Sequence, residues 1–145
     1  MDKLNKNDYK KFSDKKSPKP TYLKNIVMAF IVGGTICTIG QIILNYLKST
    51  GLDEKMAGAG TSISMVFLGA LLTGLGIYDQ IGKIGGAGAA IPITGFANAI
   101  VSPAMEFKRE GFIFGVAAKM FIVAGPVLVY GIGSSVIVGL LSLLF

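Results

Sequence analysis

Histidine and tryptophan are absent from the 145 residues, cysteine occurs once, at Cys37, and charged residues make up only 15%. Each scarcity removes a class of function. One cysteine cannot form an intrachain disulfide, and without histidine no Cys/His metal site can be assembled. A histidine general base is excluded as well. A soluble globule carries about 25% charged residues, whereas hydrophobic residues here reach 52%. The chain therefore reads as an all-α integral membrane protein of one domain. No catalytic residue, metal or cofactor is expected, because the remaining carboxylates, lysines and amides form no set suited to an enzyme.

The net charge of +6 is concentrated at one end. Residues 1–24 hold eight lysines against three aspartates, and the other 121 residues carry only +1. No folded reading domain or aromatic platform follows this tail, so nucleic acid is not an expected partner. An apolar run follows it instead. Lys15, Lys16, Lys19 and Lys24 fall within the stretch that counts for the positive-inside rule. Residues 1–24 are thus expected to be a basic, mostly disordered cytoplasmic tail, with "SPKP" as a stiff approach to the membrane. A cleaved secretory signal does not fit, since "TICTIGQ" offers no small-x-small site, and Asp2 excludes N-myristoylation.

Residues 25–145 form the expected membrane domain, with about four embedded helices. Ile26 to Leu47 is 22 residues without a charge, about 33 Å as a helix, which matches a hydrocarbon core of roughly 30 Å. Gly51 and Asp53 then suit a helix stop and a new start. A second span over 57–78 completes an antiparallel hairpin. Small residues at spacing four (Gly34 and Thr38, Gly69 and Thr73, Ala70 and Gly74) favour closely packed faces. The last run, 112–145, is about 51 Å long if straight. Pro126 predicts an interruption near 125–126. It is either a hairpin of two short helices or an embedded lead-in followed by one span.

Between these lies "GGAGAAIPITGFANAIVSPAMEFKREG" (85–111), which breaks most helix rules. Gly82, Gly85, Gly86 and Gly88 crowd its start, each roughly 0.8–1 kcal/mol worse than alanine in a helix. Pro92 and Pro103 each remove a backbone donor, and Thr94 and Asn98 bring polar groups that hydrocarbon penalises. Irregular backbone at membrane depth survives only where protein buries it or where it lines a watery cavity, and segments broken by Gly and Pro point to transport sites. Two readings stand for 84–105: a broken, re-entrant segment, or a weakly hydrophobic helix packed inside an oligomer. Charge favours the first, because re-entry returns Lys108 and Arg109 to the side of Lys83. Gly85, Gly86, Gly88, Pro92, Pro103 and Pro126 are the candidate backbone breaks or hinges. A nucleotide-binding loop is dismissed, since "GKI" lacks the hydroxyl residue after lysine.

The candidate permeant-contacting residues are Asn98, Thr94, Glu106, Arg109, Lys119 and Lys83. Glu106 and Arg109 lie in "MEFKREG", either a charged mouth or a solvated turn. Lys119 sits inside the last apolar run, where a lysine is costly; it either snorkels to an interface or faces an anion. Gln41 and Asn45, one turn apart, either bond across helices or line a pore. Cys37 reads as a small buried apolar residue.

The phrases "GGTICTIGQ" (33–41), "FLGALLTGLGIYDQIGKIGGAGAAIPITGFANAI" (67–100) and "EFKREGFIFGV" (106–116) strongly resemble the stage V sporulation protein A family of membrane subunits. The resemblance covers about 25–125. It implies residence in the inner spore (forespore) membrane, and movement of dipicolinic acid with Ca2+ into the developing spore and out at germination. Pore formation, a response to membrane tension, and partnership with sibling subunits in a homo- or hetero-oligomer are implied too. The family offers no firm binding motif to transfer. A different class of role stays open: a non-conducting structural subunit that anchors soluble partners of the complex. A proton-coupled exporter fits less well, because the first two spans contain no carboxylate.

Overall fold

The computed structural model describes residues 6–16 and 21–144, and among them every regular element is helical. The expected "SPKP" approach lies outside the described residues. A short polar helix α1 (Lys6–Lys16) stands where a disordered tail is expected. No Gly or Pro falls inside it, and Lys16 reaches over the Phe12 ring, 5.1 Å from its centroid.

The first two long helices are α2 (Tyr22–Ser49) and α3 (Glu54–Gly74). Gly51, at φ +90°, makes the turn between them. Asp53 caps α3 by accepting from the Met56 N–H at 3.3 Å, satisfying one of the orphan donors of the first turn. Across the turn Lys48 pairs with Glu54 at 3.0 Å. Both side chains face solvent, which screens the pair, so it adds little to stability. The helices are antiparallel, with Gly60 against Leu47 and Gly40 against Met65. Hydroxyls along them bond back to their own helix, as Thr35 does to the Ile31 carbonyl and Thr38 to Gly34, so they meet lipid already satisfied.

α3 ends four residues before the expected 78, because Gly76 takes φ +71° and the chain restarts as α4 (Tyr78–Gly85). This helix is amphipathic: Tyr78 and Gly85 are buried, while Asp79, Gln80 and Lys83 are exposed. Gly86, at φ 49° and ψ −121°, separates it from the single turn α5 (Ala87–Ala90). Pro92 then opens α6 (Ile93–Glu106).

The order of contacts gives the path of this middle segment. Gly85 lies against Val32, and Gly88 against Ala29 and Gly33, so α4 and α5 run beside the first half of α2. α6 then runs parallel to α3. Gly69 meets Thr94 and Ala97, Thr73 meets Asn98, and Gly74, Leu75, Gly76 and Asp79 share a cleft with Ser102 and Met105. The C-terminal end of α3 and the N-terminal end of α2 are the same end of the hairpin. The segment enters and leaves there, with its tip near Pro92.

A 3-10 turn (Phe107–Glu110) and a π-helical stretch (Phe112–Ala117) lead into α7 (Ala118–Leu144). Gly111, at φ 99°, makes the corner. Among the described residues three helices are long and apolar enough to cross a membrane: Tyr22–Ser49, Glu54–Gly74 and Phe112–Leu143. The last contains Pro126 without interruption, and α6 likewise contains Pro103. The expected break near 125–126 is therefore replaced by one at 107–111. Proline removes a single donor, and a membrane helix tolerates that where local adjustments re-satisfy the carbonyl; the left-handed Gly111 turns the whole chain.

The faces inferred from small residues are corrected in the same way. Gly69 and Thr73 pack on α6, but a Cβ at Gly34 or Gly74 would meet nothing within 4 Å. Cys37 is exposed on α2 rather than buried. Spacing alone does not say which way a stripe faces.

Candidate functional site

The re-entrant segment is held by a hydrogen-bonded cluster centred on Tyr78, a residue the sequence reading does not single out. Tyr78 is 3% exposed and Thr94 4%. The Tyr78 hydroxyl donates to the Ala89 carbonyl at 2.8 Å and lies 2.7 Å from Thr94 Oγ1. With its proton committed to Ala89, the tyrosine oxygen accepts from Thr94. The loop entry, its tip and the start of α6 are thereby fastened together. Ala89 and Ala90 leave no room for more than a glycine at 95, whose Cβ would run into both carbonyls.

Deeper along α6, Thr73 donates to the Gly69 carbonyl at 2.6 Å and lies 2.9 Å from Asn98 Oδ1. One hydroxyl proton serves one acceptor, so the pair closes when Asn98 turns its amide N–H toward Thr73. Among the described residues no buried side-chain N or O lacks a hydrogen-bond partner. The Tyr78 hydroxyl likewise satisfies the Ala89 carbonyl, a backbone group that irregular structure would otherwise leave open in a bilayer.

The nominated residues separate into two groups. Thr94 is fully engaged in the fastening, and Asn98 is half-buried beside Thr73. Glu106 and Arg109 are exposed where α6 ends, and no ion pair joins them. Lys119 is half-buried, and its Nζ lies 3.9 Å from the centroid of the Phe107 ring. That is a cation–π contact directed back toward the end where α6 leaves. Lys83 is exposed at the entry, in a cleft with Lys24 and Asn25. Four cations at 83, 108, 109 and 119 thus cluster toward the two ends of the re-entrant segment. Gln41 donates to Asn45 Oδ1 at 2.9 Å along α2, with both side chains exposed.

Of the candidate breaks, Gly86 and Pro92 separate helices, whereas Gly85 and Gly88 are contact points with α2. Between α2, α3 and α4 lies an apolar groove of about 410 Å³, with Tyr78 and Thr94 among its walls. A sequence signal for Tyr78 does exist, though it is weak. A tyrosine at the boundary of a span is common in aromatic belts, and only burial obliges its hydroxyl to find a partner.

These features define an α-helical membrane protein that has, among the described residues, three helices long and apolar enough to cross a bilayer and a Gly/Pro-broken segment that folds back between them. Residues 25–141 match the family described as SpoVAC/SpoVAEB sporulation membrane protein, and the chain belongs to that family. It is 48% identical over 141 residues to the stage V sporulation protein AC of Bacillus subtilis (strain 168), covering 97% of this chain and 94% of that one. No solved structure matches. The family is one of sporulation membrane proteins.

Proposed function

We propose that the chain is a subunit of a channel or transport complex in the inner spore (forespore) membrane. The complex passes dipicolinic acid with Ca2+ into the developing spore and out at germination, and membrane tension opens it. The observation that carries this reading is the segment 84–105, which breaks at Gly86 and Pro92, turns back on itself between the long helices and has its polar groups fastened inside. Irregular backbone of this kind is a feature of permeation sites rather than of plain anchors. Dipicolinate is a flat dianion, and the cations at 83, 109 and 119 stand at the mouth such a permeant would use. The eight lysines of the tail support a cytoplasmic N-terminal side. Sibling subunits are the partners proposed, and residues 126–143 of α7, exposed throughout, leave a surface for them.

The test is dipicolinate content per spore after deletion of the gene, with a complemented control. Spores lacking the acid are expected, and normal content would overturn the reading. Purified protein in liposomes should pass dipicolinate. Failure to do so, with the deletion phenotype intact, would favour a scaffold role. Lys119→Gln should reduce that flux several-fold, and unchanged flux would remove Lys119 from the route.

A further inference from the structure

We propose that the cleft between the first turns of α2 and the α4–α5 corner holds the anionic headgroup of a membrane phospholipid. The cleft has two lobes that share Asn25, Lys83 and Ile84. The lobe of about 350 Å³ is edged by Lys24 and Thr21. The other, of about 400 Å³, is lined by apolar Ile26, Ala29 and Ala87.

Lys24 and Lys83 reach one concavity from elements far apart in sequence, and neither has a carboxylate within 4 Å among the described residues. Two like charges brought together repel, and a shared anion relieves that repulsion. Asn25 accepts from the Thr21 hydroxyl at 3.4 Å, so its amide N–H groups remain able to donate to that anion.

The second lobe identifies the kind of anion. A free phosphate or small dicarboxylate has no use for an apolar chamber beside its charge. A phospholipid places phosphate at the boundary and hydrocarbon just below it. Basic pockets between membrane helices at the cytoplasmic end are the recognised form of such sites. The site also lies where the chain enters the re-entrant turn, so a bound lipid would touch both α2 and α4. A lipid held there would occupy Lys83 and leave Arg109 and Lys119 as the cations open to the permeant, so lipid binding at Lys24 and Lys83 and flux through Lys119 are tested on different residues.

The experiment is native mass spectrometry of the full chain in detergent, with phosphatidylglycerol or phosphatidylcholine of identical acyl chains. Phosphatidylglycerol adducts should dominate. Lys24→Gln or Lys83→Gln should each cut phosphatidylglycerol binding about fivefold, and the double variant about twentyfold. Lys55→Gln, at the other end of the hairpin, should leave it unchanged, and Lys83→Arg should retain it. Unchanged phosphatidylcholine adducts in the double variant report that the fold is intact. The proposal is overturned if the double variant binds phosphatidylglycerol as the parent does, or if Lys55→Gln loses as much. Displacement by inorganic phosphate or glycerol 3-phosphate at equal concentration would also overturn it, by showing a site for a soluble anion.

Discussion

Gly88→Ala should detach the entry arm of the re-entrant segment from α2. A Cβ at 88 would run into the Ala29 carbonyl oxygen and approach the Ala29 carbonyl carbon and Cα to 2.7 and 2.8 Å. All three are backbone atoms, so no side chain can swing aside. Relief requires α5 to move off α2, which also opens the approach of Gly33 to Gly88. Overpacking a tight contact costs about 1–3 kcal/mol, and a backbone obstacle puts this variant at the upper end. Gly82→Ala is the matched comparison. A Cβ there meets nothing within 4 Å, and alanine gains about 0.8–1 kcal/mol over glycine in a helix. Thermal unfolding in detergent should therefore move in opposite directions for the two variants. Equal melting temperatures would contradict the packing of α5 on α2.

Tyr78→Phe carries the second large effect. It leaves the Ala89 carbonyl without a donor and Thr94 without its acceptor, both buried inside the protein. Hydrogen bonds between helices in a bilayer average about 0.6 kcal/mol with a maximum near 1.7. Two such bonds from one buried hydroxyl put the expected loss at about 2 kcal/mol. Thr94→Val removes only the outer bond and should cost about 1 kcal/mol. In the double variant Thr94 no longer presents an orphaned hydroxyl, so the losses should fall short of additivity, which is the signature of direct contact. Strict additivity would mean that the two hydroxyls do not touch.

The sequence makes the spans plain because charge is so sparse. Lys24, Lys48, Lys55 and Asp79 bracket two apolar runs, and the helix ends fall within a few residues of those charges. The broken middle segment is legible for a similar reason: Gly86 and Pro92 act through local backbone geometry, which a neighbour cannot easily override. Pro103 and Pro126 carry the same local penalty, yet the helices continue through them. The cost of one missing donor is smaller than that of ending a helix in lipid, and sequence alone does not weigh the two. Small-residue spacing fails for a geometric reason. Gly33 and Gly34 are neighbours, but only Gly33 faces α5, and that azimuth depends on where the re-entrant segment lands. Thr94 and Tyr78 are the hardest to read, since their roles are written in a contact sixteen residues apart.

The central claim is that residues 84–105 enter and leave at one face of the membrane. Single-cysteine labelling tests it most directly. In a Cys37→Ser background, Lys83→Cys and Lys108→Cys are exposed to a membrane-impermeant maleimide in intact cells and in inverted vesicles. Lys16→Cys in the tail and Lys55→Cys in the α2–α3 turn serve as references. Positions 83 and 108 should both react from the face that labels position 16, and position 55 from the other. Reaction of 83 and 108 from opposite faces would make the segment a full crossing and contradict the account.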